Sequence, residues 1–177
     1  NFQAFYDLLL NNGIIDNKCN WIFGNGQLVI VGDMVDRGEY VNECLYLLYK
    51  LDFQAFNKGG RVHYLLGNHD IMLLSGDHRY VHQKYKYISA SFNTSVLDLY
   101  SDKTLLGHWM RSKNTLLKLN DLLFVHAGIS PELIKNNYTI PEINTSVSNY
   151  LKSNQADDRT SFILKSKGPF WYRGLVS

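Results

Sequence analysis

Several common signatures of function are scarce or missing in this chain of 177 residues. Its only cysteines are Cys19 and Cys44, with no CxxC pair, which excludes a disulfide scaffold and a zinc knuckle. No apolar run approaches the length needed to cross a membrane. No extended basic run occurs and the formal net charge is +2, so the electrostatic signature of a nucleic-acid-binding protein is absent. Hydrophobic residues make up 45% and charged residues 19%, which is typical of a globular protein.

The length fits one domain, residues 1–177, with a substantial core. No internal repeat or low-complexity segment divides it. The sequence assigns no compartment, because a signal peptide preceding Asn1 would not be visible.

The strongest chemical signal follows the apolar run at 28–31, which predicts a buried strand. Two carboxylates, Asp33 and Asp36, come after this run and are followed by Arg37. In open α/β sheets, ligands bind beyond the carboxyl ends of the strands. The loop therefore offers an anion pair for a cation beside a guanidinium for an anion, which suggests metal-assisted chemistry on a phosphate. Taken alone, the motif is explained equally well by a surface ion pair between aspartate and arginine.

Two further apolar runs end in similar groups. Residues 62–66 precede Gly-Asn-His-Asp at 67–70, and residues 122–125 precede His126. Imidazole, carboxylate and amide oxygen are ligands suited to Mn, Fe or Zn. Three strand-like runs that each end in such ligands favour a metal site over a surface ion pair.

The motifs GDMVDRG at 32–38, GNHD at 67–70 and HAG at 126–128, in that order, resemble those of the calcineurin-like metallophosphoesterases. This superfamily includes Ser/Thr phosphoprotein phosphatases and diadenosine tetraphosphatase, and the intact DRG resembles its phosphatase branch. An apparent hairpin around 21–26 and the segment GPFWYRG at 168–174 resemble the Shewanella-like phosphatase subgroup.

This resemblance implies an α/β (α+β) fold, a four-layer αββα sandwich. It also implies a metal-dependent phosphoesterase that hydrolyses phosphomonoesters by a metal-activated hydroxide. The implied cofactors are two divalent metal ions, Mn first, with Fe or Zn as alternatives. The implied partner is a phosphorylated protein or small molecule. The substrate stays open, because Asp70 stands where phosphoprotein phosphatases usually carry Glu.

The resemblance also implies which residues bind metal. Asp33 would bridge the two metals, while Asn68 and His126 would bind the second one. Each has a structural alternative: Asp33 could cap the following helix, Asn68 could be a turn residue, and His126 could be a strand-end histidine bonded to backbone.

The remaining roles implied by the resemblance concern the substrate. His69 is expected to be the general acid, with Asp36 fixing its tautomer and stabilising its cationic form. Arg37 is expected to clamp phosphate oxygens with its planar fork, and Arg173 is a second candidate for that task.

The sequence departs from the family at its ends. The family's D-x-H motif, directly before the helix that begins at Asn1, and its final G-H-x motif are not in the chain. Two first-metal ligands and one second-metal ligand are therefore missing, and the predicted fold is truncated at both ends. We expect the isolated chain to bind metal weakly. Alternatives are an inert fragment of the same fold, or a nuclease or dinucleotide polyphosphate hydrolase of the superfamily.

Periodicity predicts the other elements. Helices are expected over about 1–12 and 39–56, and hairpins are expected across 24–26 and 120–121. The segment 78–87, rich in aromatic and cationic residues, is either an ordinary amphipathic helix or a rim that contacts an anionic substrate.

Overall fold

The computed structural model describes residues 1–174. In these residues helices and short strands occur together, so the structure has mixed α and β content. The helices are α1 (Phe2–Asn11), α2 (Val41–Asn57), α3 (Asn68–Ser75), α4 (Gln83–Ser91), α5 (Val96–Leu99), α6 (Leu105–Arg111), α7 (Pro131–Lys135), α8 (Ile140–Ser153) and α9 (Asp158–Leu164), and the strands are β1 (Gln27–Ile30), β2 (Arg61–Tyr64), β3 (Leu116–Leu119) and β4 (Leu122–Val125).

Strands β1 and β2 are parallel neighbours, with Val29 opposite His63, and helix α2 connects them. The helix buries Leu45, Leu48 and Leu51 completely, so one face packs into the core that the sheet shares. The predicted helix at 39–56 is confirmed, with observed bounds at 41–57. Because parallel strands end at the same edge, the loops after β1 and β2 lie side by side.

Strands β3 and β4 form the predicted antiparallel hairpin, with Leu116 opposite Val125. Its turn uses Asn120 in the left-handed region at φ 51°, which Asn tolerates better than most residues. On α8, the side-chain oxygen of Asn144 accepts hydrogen bonds from the amides of Thr115 and Leu116. The hairpin is thereby fixed in place, and the chain leaving β4 reaches the site.

The predicted hairpin across 24–26 is wrong. Trp21 forms an isolated antiparallel bridge with Ile15, while β1 pairs with β2. The reason is that the amide of Trp21 donates to the side chain of Gln54 on α2, and its fully buried indole donates to the carbonyl of Gly24. These contacts hold Trp21 in the core rather than in a ladder with β1.

The segment at 78–87 divides into two parts. His82 caps helix α4 through its ring nitrogen, and the residues before it form a loop. Within residues 1–174, no helix combines the length and apolar character needed to cross a membrane.

Candidate active site

The site lies where the loops after β1, β2 and β4 meet. Two of these loops touch through glycine backbones: a Cβ on Gly32 would lie 2.4 Å from the amide nitrogen of Gly67. Gly32 also has φ +90°, a conformation that side chains disfavour. The glycine after β1 is therefore required for the approach of one loop to the other.

Asp33, Asn68 and His126, predicted as metal ligands, are brought together. The Nε2 atom of His126 lies 2.8 Å from the side-chain oxygen of Asn68 and 3.3 Å from Asp33 Oδ2. Its Nδ1 atom lies 2.7 Å from the carbonyl oxygen of Val31. In the neutral tautomer that donates from Nδ1 to that carbonyl, the Nε2 lone pair faces the two oxygens.

This donor set fits a divalent cation. In the neutral imidazole the three facing atoms are all acceptors, and a histidine that binds metal commonly donates its other N–H to a carbonyl, as His126 does to Val31. Burial acts to lower the pKa of His126, but hydrogen bonds to Asp33 and Val31 outweigh it and raise that pKa. Burial likewise acts to raise the pKa of Asp33, yet hydrogen bonds from His126 and the amide of His69 lower it. Within residues 1–174, no three His, Cys, Asp or Glu side chains form a metal cluster; the third oxygen or nitrogen donor of this set is the side-chain amide of Asn68.

His69 and Asp36 form a buried pair beside this cluster. The Nδ1 atom of His69 lies 2.7 Å from Asp36 Oδ2, and the two side chains are 11% and 1% exposed. The other carboxylate oxygen of Asp36 is buried without a hydrogen-bond partner in the described chain. Burial raises the pKa of Asp36 even though His69 acts against it. The charge of Asp36 is thus directed mainly at the imidazole, which fixes its tautomer and leaves Nε2 for proton transfer.

Arg37 extends from the same loop into solvent. Its Nη2 atom lies 3.3 Å from His69 Nε2, and its backbone amide donates to the carbonyl of Tyr80 at 2.8 Å. The guanidinium carbon lies 5.2 Å from the centre of the Tyr80 ring. The fork is therefore held beside the imidazole with most of its donors free for an anion.

Asp70 is fully buried and connects the loop after β1 to the loop after β2 through hydrogen bonds. One carboxylate oxygen accepts from the amides of Asp33 at 2.8 Å and Gly67 at 2.7 Å, and the other accepts from the Tyr64 hydroxyl at 2.5 Å. Burial raises the pKa of Asp70 to about 6, although these hydrogen bonds act in the opposite direction. Sequence reasoning treated Asp70 only as a marker of substrate class and missed this role; the one signal in the sequence was its place in the first turn of the helix after GN.

The loop after β1 has an unusual backbone. Asp33, Asp36 and Arg37 all lie in the left-handed region, at φ 58°, 66° and 56°. Such conformations are uncommon for residues other than glycine and concentrate at functional sites. These three candidate residues line one cleft of about 390 Å³, which Tyr40 and Cys44 also line.

Arg173 is exposed and makes no hydrogen bond or ion pair with any other residue of the described part of the chain. Its segment is joined to the site loops by the amide of Ala127, which donates to the carbonyl of Pro169 at 3.0 Å. A role for Arg173 in phosphate binding stays a prediction.

Comparison with known proteins places the chain among phosphoesterases. The sequence model of the calcineurin-like phosphoesterases matches residues 1–174. An uncharacterised protein of Schizosaccharomyces pombe is 35% identical over 99% of this chain and 55% of its own length. Shewanella-like protein phosphatase 2 of Arabidopsis thaliana is 27% identical over 78% of this chain and 46% of its own length. A symmetrical bis(5′-nucleosyl)-tetraphosphatase of Glaesserella parasuis is 32% identical over 60% of this chain and 35% of its own length.

Among solved structures, the cold-active protein-tyrosine phosphatase of a psychrophilic Shewanella species superimposes with a TM-score of 0.95. It is 44% identical in sequence, and the match covers 99% of this chain and 54% of that one. The chain spans about half the length of the proteins it matches most fully. The predicted α/β metallophosphoesterase fold and the resemblance to the Shewanella-like subgroup are confirmed. The loops of its three motifs contact one another, and the chain belongs to the calcineurin-like phosphoesterase family.

Proposed function

We propose that the protein hydrolyses phosphomonoesters. The observation that carries the proposal is the juxtaposition of two groups: the oxygen and nitrogen donors of Asp33, Asn68 and His126, and the pair His69–Asp36 with Arg37 beside it. The first group suits a cation, and the second suits a phosphate and its leaving group.

Asp33, Asn68 and His126 would hold a divalent metal, with Mn the first candidate. When bound, such an ion polarises phosphoryl oxygens and supplies a nucleophilic water near neutral pH. Asp33 has a second carboxylate oxygen, Oδ1, which accepts from the amide of His69 at 3.0 Å. This hydrogen bond holds the loop that carries the proposed metal ligand Asp33 against the first turn of α3, which carries the proposed general acid His69.

Arg37 binds the phosphate. A guanidinium presents donors in a planar fork that matches two phosphoryl oxygens, and charge-assisted contacts of this kind are strong. In the structure, Arg37 Nη2 lies 3.3 Å from His69 Nε2. Binding of a phosphate dianion would move this Arg37 nitrogen away from the imidazole. The imidazole nitrogen is then free to carry a proton.

His69 protonates the leaving oxygen. Its Nδ1 is held by Asp36, so the proton for transfer resides on Nε2, the nitrogen nearer Arg37 and the phosphate. Asp36 stabilises the imidazolium and orients the ring during this step.

For the substrate, we propose phosphotyrosine or another aryl phosphate. The Shewanella protein that superimposes on this chain is a protein-tyrosine phosphatase, which supports this class, and the exposed ring of Tyr80 beside His69 suits it. A dinucleotide polyphosphate is a second candidate, favoured by the tetraphosphatase among the relatives. Direct comparison of a phosphotyrosine peptide, a phosphoserine peptide and diadenosine tetraphosphate separates these classes.

The test of the proposed mechanism uses the full protein, Mn²⁺ and two substrates, p-nitrophenyl phosphate and an alkyl phosphate. Replacing the general acid, His69→Asn, should lower turnover by about 10²–10⁴ and leave metal content unchanged. The loss should be smaller for the aryl ester, whose leaving group needs little protonation.

The matched control is His108→Asn. His108 also pairs with an aspartate, Asp102, at 2.9 Å, but its side chain is 73% exposed and belongs to α6. This variant should keep full activity. Equal losses for aryl and alkyl esters in His69→Asn would contradict the general-acid assignment.

A further inference from the structure

Tyr80, in the loop between α3 and α4, contacts both substrate-directed side chains of the proposed site. Its ring lies 5.1 Å from the imidazole of His69 at an interplanar angle of 65°, an edge-to-face arrangement. The guanidinium of Arg37 lies 5.2 Å from the centre of the same ring. The backbone carbonyl of Tyr80 accepts a hydrogen bond from the backbone amide of Arg37 at 2.8 Å. The residue therefore supports the proposed acid and the phosphate clamp together.

These contacts restrict how the two side chains can move. The hydrogen bond from the Arg37 amide holds that residue in its left-handed backbone conformation, at φ 56°. Edge-to-face contact with the ring limits rotation of the His69 imidazole, which Asp36 restrains from the other side. Tyr80 is in this respect a positioning residue.

The ring is also available to a ligand. Tyr80 is 41% exposed, in contrast to His69 at 9%, and its hydroxyl makes no hydrogen bond within residues 1–174. One face of the ring would receive a group that enters beside His69, in place of the exposed side chain of Arg79, whose guanidinium lies 5.7 Å from the ring centre.

Geometry distinguishes which aromatic group can use that face. The leaving oxygen must lie within hydrogen-bond distance of His69 Nε2 for proton transfer. An aryl ring bonded directly to this oxygen falls within reach of a Tyr80 ring whose centre is 5.1 Å from the imidazole. A nucleobase is separated from the phosphate by a ribose, so its ring lies farther from this position.

We propose that Tyr80 is a specificity-determining residue, which stacks on the aromatic leaving group of an aryl phosphate while it positions Arg37 and His69. The inference rests on the proposed function and deepens it. Aromatic pairs contribute about 0.5–1.5 kcal/mol beyond burial, which corresponds to roughly a 2- to 12-fold preference for an aryl over an alkyl ligand.

The test measures binding, so that it does not depend on turnover. Phenylphosphonate and methylphosphonate carry the same charged group and differ in the arene. Their dissociation constants are measured by calorimetry with the full Mn²⁺-loaded protein. We expect the wild type to prefer phenylphosphonate by about 2- to 12-fold. Tyr80→Leu should abolish this preference, and Tyr80→Phe should retain it.

The control is Tyr87→Leu, since Tyr87 lies on α4 and is 66% exposed; it should leave both constants unchanged. Thermal melting verifies that each variant is folded. Equal binding of the two phosphonates by the wild type, or a preference that survives in Tyr80→Leu, overturns the role of Tyr80 alone. Failure of the wild type to bind either phosphonate overturns the proposed function, and the role of Tyr80 with it.

Discussion

The contact between the two loops of the site predicts that Gly67→Ala will weaken metal binding without unfolding the protein. Gly67 has φ −97° and ψ 179°, an extended conformation that alanine adopts freely, so backbone strain is not the issue. The added methyl group, however, would lie 2.2 Å from Asp33 Oδ1 and 2.9 Å from His126 Nδ1. The substitution therefore acts on two of the proposed ligands at once.

The magnitude follows from these distances. Ordinary contacts of a Cβ atom begin near 3.4 Å, so Asp33 Oδ1 must retreat by about 1.2 Å. Metal–ligand distances tolerate deviations of only about 0.2 Å. We expect Mn²⁺ affinity to fall by at least about 10- to 100-fold, the scale seen when groups that orient ligands are removed. Overpacking should lower the free energy of unfolding by about 1–3 kcal/mol.

The assay is calorimetric titration of the full protein with Mn²⁺, accompanied by urea unfolding. Gly38→Ala is the control, because a Cβ at Gly38 would meet nothing closer than 3.6 Å. That variant should bind Mn²⁺ like the wild type. Unchanged Mn²⁺ affinity in Gly67→Ala would refute either the assignment of Asp33 and His126 as ligands or the close approach of the two loops.

Two further predictions concern other parts of the chain. Arg37→Ala should weaken competitive inhibition by inorganic phosphate and lower kcat/KM while Mn²⁺ content stays normal; unchanged phosphate inhibition would make Arg37 a structural residue only. Glu142 at the start of α8 accepts hydrogen bonds from Thr139 and pairs with Arg159. These contacts lower the pKa of Glu142 to about 2, and the hydrogen bonds from Thr139 have the largest effect. Because this folded-state pKa lies below the usual value of 4.5, the stability that Glu142 contributes is complete above about pH 4.5 and is lost as pH falls towards 2. The difference in unfolding free energy between wild type and Glu142→Gln should therefore shrink between pH 6 and pH 3, and a constant difference would show that the charge is not responsible.

The sequence predicted the parts of the site that depend on strand ends. Asp33 and Asn68 each follow an apolar run and a glycine, and the parallel strands β1 and β2 end at a common edge, so the convergence of these two residues could be expected. His126 follows β4 of the antiparallel hairpin, to which this argument does not apply. What the sequence could not reveal depends on tertiary contact. The hydrogen bonds that bind Asp70 to Asp33 and Tyr64 cross between separate loops and a strand, and nothing in the local sequence encodes them.

Tertiary contacts also explain why the predicted hairpin across 24–26 does not form and why the segment at 78–87 allowed two interpretations. The glycines at 24–26 favour a turn, and a turn closes there, but Gln54 from a distant helix competes for the amide of Trp21 and prevents a ladder. For the segment at 78–87, composition indicated both a helix and a substrate rim. In the structure a helix begins at Gln83. Tyr80, which precedes that helix, packs against the imidazole of His69.

The left-handed backbone at Asp33, Asp36 and Arg37 has a consequence for laboratory evolution. Each such conformation costs a residue with a Cβ on the order of 1 kcal/mol relative to glycine, and the three together are an appreciable part of a net stability of about 5–15 kcal/mol. Glycine at any of these positions would relieve that cost and remove a functional side chain. A library of variants selected for thermal stability alone should therefore accumulate glycine in this loop and lose activity as its stability rises. A search for more thermostable variants must then select for turnover at every round.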